Sequence, residues 1–165
     1  MEIVYLETSF ISLLVGYPSR DLITAANQQV TRDWWRLRRQ DFFCIASDEV
    51  TQEASKGDPE QARRRLEVLK VLTFVQPSRE AEDLAQAFRA TDALPPNAQT
   101  DAAHLAIATA ASADYLLTWN SRHLANAQIL RRLEREALRH GWTLPNVCTP
   151  TVLMGDLPYE SESDS

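Results

Sequence analysis

Glu2-Ile-Val-Tyr-Leu-Glu-Thr-Ser-Phe-Ile-Ser-Leu-Leu-Val15 is the stretch that decides the fold class. Its first run, Glu2 to Leu6, is short, β-branched and apolar, which is the signature of a buried strand. Glu7-Thr8-Ser9 follows at once and the apolar run resumes at Phe10, so the strand feeds directly into a helix capped by Thr8 or Ser9. A strand that turns straight into a helix is the opening half of a βαβ unit, and the rest of the chain repeats the alternation.

Leu22, Ala25, Ala26, Val30, Trp34 and Leu37 recur at spacings of three and four, predicting a helix within 19–40. Asp41 to Ala46 reads as a second strand, ending at the helix-start signal Ser47-Asp48-Glu49, with a helix that stops near Gly57. Asp58-Pro59 opens the next helix. Val71 to Val75 is a third strand, Ser78 caps a helix reaching Phe88, and Leu94-Pro95-Pro96 makes a loop. An alanine-rich helix over 98–112 leads to a fourth strand, Tyr115 to Thr118, and a last helix covers 126–140. Val147-Cys148 and Thr151 to Leu153 are weaker strand candidates. The expected fold is α/β: one domain over 1–155, a mainly parallel sheet of four to five strands with helices on both faces. An acidic, serine-rich tail at 156–165 is expected to be disordered.

Composition agrees with a single ordinary domain. The chain has 165 residues, 44% of them apolar, enough for one sizeable core, and only 4 glycines, too few for a large fold of tight β-turns. No apolar run is long enough to cross a bilayer and no signal peptide is visible, so a soluble, cytoplasmic protein without membrane contact is expected. Cys44 and Cys148 lie far apart among apolar neighbours and read as buried thiols. With 23 acidic against 17 basic residues the formal charge is −6, which on its own argues against a nucleic-acid partner.

In parallel sheets ligands bind beyond the carboxyl ends of the strands. The polar residues there are Glu7, Asp48, Glu49, Glu53 and Asn120, with Asp101 and His104 at the start of the helix before strand four. Dinucleotide, P-loop, CxxC and HExxH motifs are absent. Carboxylates that converge without a counter-ion repel one another, and a hard divalent cation removes the conflict. Such an ion can activate water for attack on a phosphodiester. Isolated acids at helix starts are also ordinary caps, which suits Asp48 and Glu49.

Tyr5-Leu-Glu-Thr-Ser-Phe-Ile-Ser-Leu-Leu14, Ser47 with Glu53, Asp101-Ala-Ala-His-Leu-Ala-Ile-Ala108 and Tyr115-Leu-Leu-Thr-Trp-Asn120 together resemble the PIN domain, especially the VapC-like toxin ribonucleases. The likeness spans residues 3 to about 153. It implies a Mg2+ or Mn2+ site of acidic side chains, cleavage of RNA, a small antitoxin partner and a homodimer. Carried over by position, Glu7, Glu53, Asp101 and Asn120 are the implied metal and catalytic residues, with Thr8, Ser9 and His104 in support. Two positions depart from the family pattern: Glu7 stands for Asp and must fold back by one methylene, and Asn120 stands for an acid and brings no charge. A PIN-like RNA- or protein-binding module with little catalysis is therefore the alternative, and an unrelated hydrolase of a small phosphorylated compound is a third. Asp114 takes a structural position and Trp119 is expected to pack. Three arginine clusters, at 36–39, 63–65 and 131–135, could each track a phosphate backbone or form a solvated face.

Overall fold

The computed structural model describes residues 1–155, and the tail expected to be disordered lies outside them. Five strands, β1 (Ile3–Leu6), β2 (Phe43–Ala46), β3 (Thr73–Phe74), β4 (Tyr115–Leu117) and β5 (Asn146–Cys148), form one sheet in the order β3-β2-β1-β4-β5. Every neighbouring pair is parallel, with Val4 opposite Cys44 on one side and Tyr115 on the other. The sheet is thus all-parallel. Parallel neighbours need long crossovers. Seven α-helices supply them among the described residues: α1 (Thr8–Val15), α2 (Leu22–Leu37), α3 (Asp48–Ala54), α4 (Pro59–Leu69), α5 (Arg79–Ala90), α6 (Gln99–Ala110) and α7 (Ala127–Arg139).

The chain winds from β1 outward to β3, then returns across the sheet to β4 and β5. With right-handed crossovers this reversal places α1–α4 on one face and α5–α7 on the other. The packing agrees, since α1 touches α2, α3 and α4 while α5 touches α6 and α7. Burial on both faces explains why Val4, Tyr5 and Leu6 are all fully buried in the central strand. The winding reverses between β1 and β4, and the carboxyl ends of these two strands carry Glu7 and Thr118.

Local chemistry sets the element ends. Asp58 and Ser78 cap α4 and α5 with their side chains, as the sequence predicts, and Asn126 caps α7 just before the helix expected to begin there. At α1 the cap is Glu7, whose carboxylate accepts from the Ser9 N–H, in place of Thr8 or Ser9. Thr8 and Ser9 carry their hydroxyls to other carboxylates, described below. Gly57 ends the α3 segment at φ +86°, a conformation costly for any residue with a Cβ. Of the two fifth-strand candidates only the first pairs; residues 151–153 form a turn. Cys44 and Cys148 are unpaired thiols but only half-buried, on strands near and at the sheet edges, and partial burial pushes each up to about 11.

One apolar core runs through the molecule. On the α1–α2 side Trp34 is fully buried, edge-on to Phe10 at 5.5 Å and stacked on Phe42 at 5.7 Å, and its indole N–H donates to the Leu153 carbonyl at 3.1 Å. That bond ties the end of the domain to α2. Trp34→Ala is expected to cost about 3–5 kcal/mol in urea unfolding; a loss below about 1 kcal/mol would mean that this cluster does not anchor the core.

Candidate functional site

β1 delivers Glu7 to the switch point, where the residue is 5% exposed. One methylene longer than Asp, it folds back over the first turn of α1: Oε2 accepts from the Ser9 N–H at 3.0 Å, from the Ser9 hydroxyl, and from the Thr118 hydroxyl at 2.8 Å. Three donors hold the oxygen in a fixed place. The helix start adds a favourable dipole.

Glu53 reaches the same region from α3. Its Oε1 accepts from the Thr8 hydroxyl at 2.6 Å and meets Nε2 of His104. His104, on α6, is fully buried, and its other nitrogen, Nδ1, lies 2.7 Å from the Tyr5 hydroxyl, itself 2.6 Å from the Ser47 hydroxyl. A hydrogen-bonded line therefore runs Ser47–Tyr5–His104–Glu53–Thr8 through the core. With His104 protonated, its two N–H groups donate to Glu53 and Tyr5 and the Tyr5 hydroxyl donates to Ser47; with His104 neutral and its proton on Nδ1, Nε2 keeps the lone pair that a metal would need. Burial by itself would lower the His104 pKa, but the Glu53 hydrogen bond and the charges of Glu7, Glu53 and Glu49 outweigh it and raise the value. Burial likewise opposes ionisation of Glu53, yet bonds from His104 and Thr8 and the charge of His104 hold it below the usual carboxylate range. The Tyr5 hydroxyl is driven upward, mainly by burial.

Asp101, in the first turn of α6, belongs to a neighbouring group. Its Oδ1 accepts from the Asn120 amide at 3.1 Å and its Oδ2 lies 3.1 Å from His123 Nδ1, while Asn120 Oδ1 accepts from the His123 N–H at 3.1 Å. Asn120 thereby braces an Asp–His pair. The two groups meet through Thr118, whose hydroxyl donates to Glu7 and accepts from the Asn120 N–H at 3.0 Å, and through Ser9, which accepts from the Trp119 N–H at 2.8 Å.

Of the four implied ligands, the structure brings Glu7 and Glu53 together and seats Asp101 and Asn120 beside them as partners of each other. The third member of the inner group is His104: one oxygen each of Glu7 and Glu53 and one of its ring nitrogens lie within 4.8 Å of one another. This donor set fits a divalent cation, since two carboxylates and an imidazole suit Mn2+ as well as other first-row metals. The residue best placed to orient the imidazole is Tyr5, as a ligating histidine normally engages its second nitrogen with another group. His104 proves to be a hydrogen-bonded core histidine and a potential ligand at once. Thr8 and Ser9 bond the carboxylates. Asp48 and Glu49 are first-turn acids of α3, and Asp114 anchors the start of β1 by accepting from the Ile3 N–H at 2.8 Å. Trp119 packs half-buried, its indole N–H on the Thr31 hydroxyl at 2.8 Å.

Sequence reasoning missed Tyr5, Ser47, Thr118 and His123 as site members. A tyrosine in a strand expected to be fully buried was the available signal, because a buried phenol needs a partner. No family model matches the chain, and no curated protein or solved structure does either.

Two outcomes are expected. Tyr5→Phe leaves buried polar atoms of Ser47 and His104 without their partner and should cost about 1–3 kcal/mol in urea unfolding. The second concerns pH. The raised value of His104 stabilises the fold below its unfolded value of about 6.5 and is lost as pH rises through the folded one; the lowered value of Glu53 stabilises above about 4.3 and is lost as pH falls through the folded one. The stability gap between wild type and Glu53→Gln should therefore be widest at about pH 4.5–6.5 and narrow on both sides; a gap that is flat from acid to alkaline pH contradicts the pair.

Proposed function

We propose that the protein is a metal-dependent endoribonuclease of the PIN type, similar to the VapC-like toxins, acting on RNA phosphodiesters in the cytoplasm. The observation that carries the proposal is the convergence of Glu7, Glu53 and His104, two of them buried, at the switch point of a parallel sheet. Buried carboxylates repel unless protonated or matched by positive charge, and Glu7 makes no ion pair with a basic side chain among the described residues. A bound Mn2+ or Mg2+ would relieve that repulsion, be held by Glu7 and Glu53 with His104, and supply Lewis-acid activation of water and of a phosphate oxygen.

The chain's own residues set the geometry. Thr8, Ser9 and Thr118 fix the carboxylate rotamers, and Tyr5 with Ser47 fixes the imidazole. Asp101, Asn120 and His123 stand next to this group, on the segment that follows β4 and on the start of α6. There they can receive the substrate or complete the coordination shell through Asp101. The four sequence segments carrying the family resemblance all meet at this point. A small antitoxin and a second copy of the chain are the partners that accompany this function.

One observation favours the alternative, a PIN-like module that binds RNA or protein with little catalysis: Asp101 is engaged by both Asn120 and His123, and Asn120 brings no charge. Cleavage of a labelled single-stranded RNA with Mn2+ or Mg2+ separates the two. Wild type should cleave, Glu53→Gln and Asp101→Asn should be inactive, and Thr8→Val, which loses one bond to a ligand, should fall roughly 10–100-fold. Equal cleavage by wild type and Asp101→Asn would mean that the activity comes from a contaminant, and metal-independent cleavage would remove the role of the cation.

A further inference from the structure

Among the three arginine clusters, every member of two makes a contact within the domain. Arg36 pairs with Asp33 at 3.6 Å, Arg38 with Asp41 at 2.7 Å, and Arg39 lies over the Trp35 ring at 4.2 Å. Arg63 pairs with Glu60 at 2.6 Å, Arg64 lies over Tyr17 at 5.4 Å, and Arg65 donates to the carbonyls of Ala54 and Lys56 at 3.0 and 2.5 Å. The third cluster is different. Among the described residues the exposed side chains of Arg131 and Arg135 have no hydrogen bond, ion pair or ring contact, and the same holds for Arg122 in the loop before α7.

A groove of about 460 Å³ runs between the end of α5 and α7. Small side chains, Ala87 and Ala90, leave it open on one wall, and Arg132, Arg135 and Arg139 line the other. These three lie at spacings of three and four, so they share one helix face and cover about 10 Å along it. Arg132 is steadied by a bond to the Asp92 carbonyl at 3.3 Å and Arg139 by Glu136 at 3.5 Å. Three guanidinium groups thus face two carboxylates, Asp92 and Glu136, a local positive excess in a chain of net charge −6. Two chain segments connect the groove to the candidate site. α7 issues from the loop that carries Asn120, Arg122 and His123, and Thr91 and Asp92 begin the loop that leads to α6 and Asp101.

We propose that the α5–α7 groove is the track for the sugar-phosphate backbone of single-stranded RNA, with Arg135 and Arg139 contacting phosphates and Arg122 bridging toward the site. The inference rests on the ribonuclease proposal for its ligand. Planar guanidinium forks suit phosphate: Arg135 has no internal partner among the described residues, and Arg139, 77% exposed, engages Glu136 through one nitrogen at 3.5 Å and keeps the rest of its fork open.

The test is binding of a fluorescent single-stranded RNA to the full chain in EDTA, followed by anisotropy over a range of salt concentrations. Arg135→Glu/Arg139→Glu should bind at least about tenfold more weakly, and the slope of log affinity against log salt should shrink by roughly 1.4, from about 0.7 per phosphate contact. Arg63→Glu/Arg64→Glu on α4 should stay within about twofold of wild type. If charge reversal unfolds the α7 variant, as judged by circular dichroism, Arg135→Gln/Arg139→Gln gives the same comparison with a smaller change. Unchanged affinity and slope in the α7 variant, an equal loss in the α4 variant, or no binding by wild type overturns the track. Displacement of RNA by poly-glutamate at matched charge also overturns it, in favour of an acidic polypeptide. The two proposals fail separately: groove-dependent binding without cleavage under any metal leaves the track and removes the nuclease, whereas cleavage with groove-independent binding does the reverse.

Discussion

Tyr5 carries the constraint on which the site depends. It sits in the middle strand of a sheet covered on both faces, fully buried, and its hydroxyl must find partners or cost several kcal/mol. It finds Ser47 at the start of α3 and His104 on α6. His104 in turn meets Glu53, and Glu53 meets Thr8. One continuous line of hydrogen bonds therefore crosses from β1 to three helices drawn from both faces of the sheet. Apolar packing holds these elements close; the polar line selects a single arrangement among the ways they could pack, since each member loses a partner if a neighbour shifts.

The same line explains how acids are tolerated near the centre of the fold. Glu53 and His104 support each other's charged forms, and Glu7 is held by the Ser9 amide and two hydroxyls at a helix start. Asp101 has a separate arrangement with His123 and Asn120. Protein groups therefore carry part of the electrostatic burden of these acids. Net charge is a poor guide in such a molecule, because the acids gathered at the strand ends and the exposed arginines along α7 occupy different places.

Much of the fold was legible because its signals are local. The run from Ile3 to Leu6 and its abrupt change at Glu7 announce a strand turning into a helix; Asp58, Ser78 and Asn126 announce helix starts; Gly57 announces an end. Boundaries were less legible. Val71 and Leu72 look like strand residues but their N–H groups bond back to Val68 and Leu69 at the end of α4, so the pairing with β2 begins at Thr73. The cap of α1 was misplaced onto Thr8 or Ser9 because short polar side chains are the usual caps, whereas here the longer Glu7 folds back and both hydroxyls go to carboxylates. Glu7 was legible at the carboxyl end of a strand, whereas Glu53, within the helix that follows the second strand, joined it through the family resemblance. That His104 rather than Asp101 would be their nearest companion was not legible. The two lie three residues apart on one face of α6, so their spacing does not say which of them meets Glu53.

The sequence by itself determined the alternation of strands and helices, the single core and the positions at which polar side chains leave the strands, because periodicity, capping and turn chemistry act over a few residues. Tertiary structure alone decided the strand order, the pairing of Tyr5 with His104 and Ser47, the bracing of Asp101 by Asn120 and His123, and which arginines remain without partners. Those depend on contacts between residues about 20 to 110 positions apart. Such contacts are set by how helices seat on a twisted sheet, and no short window of sequence contains that information.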